Sequence, residues 1–280
     1  MVFELSEMTW WEAEDRFRER GLAIVPVGSM EQHGLHLGIG SDWLQAWEIS
    51  RRVGERTGVT VLPAMPYGVS AHHMDFPGTI SLDPETLKRV IYEILASLRK
   101  HGVTRVVFVN GHGGNLGAVT DAVKLAREKM GMLCAIVQWW DALQSKSILG
   151  HPAEEHAGYA ETAFTLASRP GAVRIQYAVL TPTRQVDDDI ELIRAGLAKF
   201  RKGIARIPLR TADVSSTGSM TEAHPDDVQG TTDYSGVTEE FAEGLMEEVV
   251  DWVSAFVESF ERLEMPPPRV SREEAFKELE

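Results

Sequence analysis

Four side chains able to hold a metal ion lie close together in the run "VPVGSMEQHGLHLGIGSDWLQA": Glu31, His33, His36 and Asp42. Their company is small and apolar, whereas solvated loops are usually richer in Lys, Ser and Asn. In an extended segment Glu31 and His33, two residues apart, project to the same side and reach one point in space. Gly34, Gly38 and Gly40 supply a turn that folds the chain back and seats Asp42 near the start of the next helix. Glu, His and Asp together suit Zn²⁺, Mn²⁺ or Fe²⁺, which accept imidazole and carboxylate in one site. The plainer alternative is that these are polar loop residues satisfying backbone groups.

Two further stretches bear on that choice. In "VVFVNGHGGN", His112 follows an apolar run and is flanked by Gly111, Gly113 and Gly114, a backbone kept slim so that something can approach closely. In "HPAEEHAGYAETAFTLASRP", His156 and Glu161 are five residues apart and Glu154 and Glu155 precede the histidine. Alone, that run also reads as a solvated helix end. Taken together, the stretches supply enough donors for two metals sharing a carboxylate and a hydroxide nucleophile. No serine nucleophile competes with this reading, because "VGSMEQ" lacks the elbow pattern.

These residues need elements to position them. Apolar, β-branched runs at 21–28, 60–68 and 104–113, with a fourth at 133–140, read as buried strands. Helical patterns fall between them: "SDWLQAWEISRRVGERTG", "DPETLKRVIYEILASLRKHG" and "NLGAVTDAVKLAREKMG". The second is the clearest, with Asp83 as cap, Pro84 at the first helical position, one apolar face from Leu87 to Leu98 and a Gly stop. Alternating strands and helices predict a single α/β domain with a mostly parallel central sheet flanked by helices. Function in such sheets gathers at the carboxyl ends of strands, where both histidine-rich stretches fall.

Beyond residue 170, "GAVRIQYAVLTPTR" predicts a strand, "DDIELIRAGLAKFRKG" a helix and "TEAHPDDVQGTTDYSG" a polar loop. "VTEEFAEGLMEEVVDWVSAFVESFERLE" has the three-and-four spacing of a long amphipathic helix, with Trp252, Phe256 and Phe260 as packing residues. One domain over 1–265 and a loose tail over 266–280 are expected.

The net charge of −14 argues against a nucleic-acid partner, since phosphate binding needs Lys and Arg not offset by carboxylates. Cys134 is the sole cysteine, so no internal disulfide can form. The N-terminus lacks a basic start and an apolar stretch, and no window reaches the roughly 18 apolar residues of a membrane helix, so a cytoplasmic protein without a membrane partner is expected.

The motifs "PVGSMEQHGLHLGIGSD", "YGVSAHHMDFPGTISL", "FVNGHGGN" and "EEHAGYAET", in this order over about residues 20–165, resemble the creatininase (creatinine amidohydrolase) family. The resemblance implies a compact α/β fold, two divalent metal ions per chain (Zn, Mn or Fe) and hydrolysis of a non-peptide C–N bond, often of a cyclic amide, in a small molecule. It implies a homo-oligomer, commonly a hexamer. By position Glu31, His33, Asp42 and His112 look like metal ligands, with Asp42 as bridge. His156 looks like the base or proton shuttle, and Glu155 and Ser70 like substrate contacts.

One position departs from the pattern. Where creatininase proper has a metal-binding Glu two residues after the "NGH" histidine, this chain has Gly114, and Glu161 is therefore expected as the fifth ligand. The change argues against creatinine itself as substrate. Relatives of the "NGHGGN" type include a formamide hydrolase and a peptidase that matures mycofactocin. His36, His72 and His73 are candidates for orienting ligands, and Trp139 and Trp140 for a substrate wall or for core. A non-catalytic metal or small-ligand binding protein is the competing class. A dinucleotide-dependent oxidoreductase is disfavoured because no G-x-G-x-x-G follows the first strand.

Overall fold

The computed structural model describes residues 3–143, 156–179, 181, 183–220 and 234–265. Helix α1 (Trp10–Arg20) leads into β1 (Leu22–Val27), α2 (Ser41–Thr57), β2 (Thr60–Val61), α3 (Pro84–Lys100), β3 (Arg105–Asn110), α4 (Leu116–Met130) and β4 (Leu133–Gln138). The four strands form one parallel sheet in the order β2-β1-β3-β4. Parallel neighbours need crossover helices, and those helices cover both faces.

Alternation along the strands divides the core in two. Leu22 and Ile24 of β1 with Val107 and Val109 of β3 face Ile49 and Val53 of α2. Ala23, Val25 and Val27 with Val106 and Phe108 face Leu87, Ile91 and Leu95 of α3 and Val119 and Ala122 of α4. Because both strand faces are buried, the strands read as continuous apolar runs in the sequence. Asp83 caps α3 by accepting the Glu85 N–H at 2.8 Å, with Pro84 in the first turn, as its sequence predicts.

After α5 (Tyr159–Ser168) the chain departs from expectation. The strand predicted within 171–184 is instead a pair of 3-10 turns, at Pro170–Ala172 and Ile175–Tyr177. The helix predicted from "DDIELIRAGLAKFRKG" is an antiparallel ribbon of β5 (Ile190–Arg194) and β6 (Leu197–Phe200), extended by β7 (Gly203–Ala205). Gly196 turns it at φ +98°, and Leu192 and Ala198, cross-strand partners, are the buried pair. Helix α6 (Thr211–Val214) follows.

The long helix α7 (Glu239–Arg262) matches expectation and buries Val249, Val253, Val257 and Phe260 against the α2 side of the sheet. Trp252 stacks on Phe256 but is 43% exposed, so the expected apolar face is buried only in part. Arg52 and Arg56 of α2 reach Glu243, Glu247 and Asp251 of α7, tying the two helices along their length. No helix among the described residues is long and apolar enough to cross a membrane.

Candidate metal centre

The centre begins with where α2 can start. A Cβ on Gly28, just past β1, would come within 2.3 Å of the Trp43 backbone, and one on Gly111, just past β3, within 2.2 Å of the Asp42 carbonyl oxygen. Only glycine at both places lets the first turn of α2 rest on the carboxyl ends of the two central strands. That contact carries the Asp42 carboxylate over the sheet.

Glu31 comes from the segment after β1, its N–H donating to Ile39 O at 2.8 Å as the turn closes. His33 follows on the same side. His112 arrives from the end of β3, and Glu161 from the first turn of α5, where its Oε2 accepts the Ala157 N–H at 2.5 Å. Ala157 adopts φ +55° to aim that N–H.

All five side chains converge. His33 Nε2 lies 2.9 Å from Asp42 Oδ1 and 3.6 Å from Glu161 Oε2. His112 lies 3.2 Å from Asp42 Oδ2 through Nδ1 and 3.2 Å from Glu31 Oε2 through Nε2. Three donor triplets among the described residues each lie within 4.8 Å: Glu31–Asp42–His112 and His33–Asp42–Glu161, which share Asp42, and Glu31–His33–His156. Apart from Glu161, which is partly exposed, these residues are buried.

The donor chemistry fits divalent ions. His33 Nδ1–H donates to Glu31 O at 3.1 Å and His112 Nε2–H to Val69 O at 2.9 Å, so in each ring the other nitrogen faces Asp42 and can give its lone pair to a cation once its proton is lost. His33 Nε2 and Asp42 Oδ2 are buried without a hydrogen-bond partner. Buried nitrogens and carboxylate oxygens this close call for positive charge between them, a proton or a metal ion, and imidazoles braced through the opposite nitrogen are the usual form of metal-binding histidine.

The electrostatics express the same demand for positive charge. Burial opposes a charged His33 ring, but Asp42, then Glu161 and Glu31, outweigh it and raise its pKa to about 10. His112 is held well above the usual range, burial again being outweighed, here by Glu31 and Asp42. Burial pushes Glu31 and Asp42 up, but the imidazoles hold both below the usual carboxylate range, His112 and His73 acting on Glu31 and His33 and His112 on Asp42. Burial raises Glu161 to about 7 despite His33.

His156 is buried beside the cluster, its ring centroid 4.3 Å from that of His33 and its Nδ1 3.9 Å from Glu31 Oε1. Burial and the neighbouring His33 charge push it down to about 3, so its ring is neutral at ordinary pH. Ser70 is buried, its hydroxyl on Ser29 and 3.4 Å from His112 Nε2. Glu155 lies outside the described residues.

Among the other histidines, His73 reaches the centre, with Nε2 3.3 Å from Glu31 Oε1. His72 packs at 3.9 Å on the His73 ring. His36 donates to Thr162 Oγ1 at 2.9 Å and packs on Tyr234 rather than on the donor triplets. Trp139 is core, against Phe164.

Two contributors were not singled out from sequence. Ser29 donates to Glu31 Oε2 at 3.2 Å, and period-two alternation back from Glu31 would have found it. Gln32 contacts His73 and His156, which only the tertiary fold brings to it.

The family model described as Creatininase: Creatinine amidohydrolase matches residues 6–257. Creatinine amidohydrolase of Pseudomonas putida is 30% identical over 198 residues, 64% of this chain and 76% of that protein. Mycofactocin precursor peptide peptidase of Mycolicibacterium smegmatis is 32% identical, over 62% of this chain and 69% of that protein. The 3-dehydro-scyllo-inosose hydrolase of Thermotoga maritima is 26% identical over 98% of this chain and 89% of its own. A crystal structure of creatinine amidohydrolase (creatininase) superposes with a TM-score of 0.76 at 25% identity, covering 94% of this chain and 99% of that one. Solved forms of creatininase include one described as Mn and a mutant described as Zn-Zn type. The fold is that of the creatininase structures, and the donor triplets are placed where they could hold metal ions. The chain belongs to the creatininase family, a family of amidohydrolases.

Proposed function

We propose that the protein is a metal-dependent amidohydrolase that cleaves a non-peptide C–N bond, in a cyclic amide or a formamide, of a small molecule. The observation that carries this reading is the pair of donor triplets sharing Asp42, in which His33 Nε2 and Asp42 Oδ2 are buried without a hydrogen-bond partner. Glu31, Asp42 and His112 would hold one ion, and His33, Asp42 and Glu161 the other. Such ions supply a hydroxide nucleophile at neutral pH and a Lewis acid for the carbonyl oxygen.

The chain's residues divide the remaining work. Asp42 fixes the spacing of the two halves, because its backbone is clamped on Gly111. His156, neutral and beside His33, takes up a proton and delivers it to the departing nitrogen. Ser70, from the Ser29–His112 side, and Glu155 are the proposed substrate contacts. Gly114, where creatininase proper has a Glu, argues for a substrate other than creatinine. The family resemblance further supports zinc, manganese or iron as the metal, a homohexamer and a cytoplasmic setting.

Two alternatives keep a specific support. The mycofactocin peptidase relative favours a peptide tail as substrate. The inosose hydrolase aligns along almost the entire chain, which favours a ring ketone polyol. Lactams, hydantoins, formamides, peptide tails and cyclic polyol ketones, screened with Zn²⁺ or Mn²⁺, separate these readings. His156→Ala should abolish turnover while metal content stays near two per chain. Persistent activity would remove His156 from its role, and metal-replete protein inert on the whole panel would favour a binding protein.

A further inference from the structure

We propose that Gln32 is a positioning residue that fixes which ring nitrogen of His73 and of His156 carries the proton. The inference rests on the reading of the site above. Gln32 stands between Glu31 and His33 in an extended segment, and its side chain is buried among three chain segments. Its Oε1 accepts the Gly34 N–H at 3.0 Å and its Nε2 donates to Gly218 O at 3.1 Å, which settles the orientation of the carboxamide. The second contact is built closely: Gly218 has φ +91°, and a Cβ there would fall 1.8 Å from Gln32 Oε1.

The rest follows from counting hydrogens. Nε2 has two, and one is spent on Gly218. Two imidazole nitrogens compete for the other, His73 Nδ1 at 2.8 Å and His156 Nε2 at 3.0 Å. His156 Nε2 also lies 2.7 Å from the Gln32 backbone carbonyl, which can only accept, so this nitrogen carries a hydrogen and cannot receive another. The second amide hydrogen therefore goes to His73 Nδ1, which Thr211 Oγ1 also approaches at 2.8 Å. His73 is left with its hydrogen on Nε2, directed at Glu31 Oε1, and His156 with a lone pair on Nδ1, on the side facing Glu31. One residue thus braces a metal-facing carboxylate through His73 and orients the proton carrier through its own main chain.

The test uses histidine-labelled protein, zinc-loaded and metal-free, in long-range ¹H–¹⁵N spectra that distinguish ring tautomers. In the unaltered protein His73 should show a bare Nδ1 and His156 a bare Nδ1; a hydrogen on Nδ1 of either ring overturns the proposal without any variant. Gln32→Glu replaces the donor by an acceptor of the same shape. His73 Nδ1 should then gain a hydrogen, and kcat should fall about 10- to 100-fold, the usual range for residues that orient metal ligands. KM and zinc stoichiometry should change little. A Gln32→Glu protein whose His73 keeps a bare Nδ1 and whose kcat is unaltered refutes the role. Because tautomers are read without turnover, failure of every amide substrate would sink the proposed function and leave this result standing.

Discussion

The metal-free centre stores protons where cations would sit, and loading must expel them. At pH 6, His33 with a pKa of about 10, His112 held well above 6.5 and Glu161 at about 7 are all protonated, while Glu31 and Asp42 are not. Filling both halves should therefore release about one proton more at pH 6 than at pH 8, where Glu161 has already ionised. Each released proton steepens affinity tenfold per pH unit, about 1.4 kcal/mol. The Glu161 share alone should weaken loading about tenfold at pH 6 relative to pH 8. Isothermal titration of metal-free protein with Zn²⁺, in buffers of different ionisation enthalpy, counts the protons directly. A count that is the same at pH 6 and pH 8, or below one at pH 6, would refute the argument that Glu161 and the imidazoles face a shared cation position.

Other outcomes follow from the same geometry. His33 and Glu161 both bind protons more tightly folded than unfolded, so their stabilisation is complete below about pH 4.5 for Glu161 and about 6.5 for His33. It is lost as pH rises through about 7 and about 10. Below about pH 6.5 the buried His36 and His156, pushed down to about 4 and about 3, act in the opposite sense, so the melting temperature of metal-free protein should fall from about pH 7 to pH 10, and saturating Zn²⁺ should flatten that decline in a thermal scan. Gly111→Ala would press a methyl against the Asp42 carbonyl. It should cost about 1–3 kcal/mol in urea denaturation and lower the bound metal measured by elemental analysis; full metal content would show that α2 does not depend on that seat.

Much of the architecture was readable because local and global preferences agree. In α3, Asp83, Pro84 and the apolar face from Leu87 to Leu98 all point to one answer, and the helix spans Pro84–Lys100. β2 is shorter than its apolar run, stopping at Val61, since Pro63 and Pro66 cannot donate to a ladder. The segment 190–200 was misread because its Leu, Ala and Lys content favours helix, while the turn at Gly196 and the burial of Leu192 against Ala198 favour a ribbon. In the centre, Glu31, His33 and Asp42 were legible as neighbours in sequence. His73 and Gln32 acquire their roles only when the segments around residues 73, 156 and 218 pack together, and no periodicity records that.

The seat of Gly114 has a bearing on how such chains are compared. A side chain there would begin 2.2 Å from the Val69 carbonyl oxygen, so this backbone leaves no room for an acidic side chain at that position. An acidic oxygen reaches the cluster from a helix some fifty residues further along, where Glu161 Oε2 lies 3.6 Å from His33 Nε2. With the ligand set proposed above, column-by-column scoring would record a missing ligand where the molecule has changed supplier. On that reading inheritance acts on a location above the sheet, and surveys of the family for inactive members should count oxygens in space.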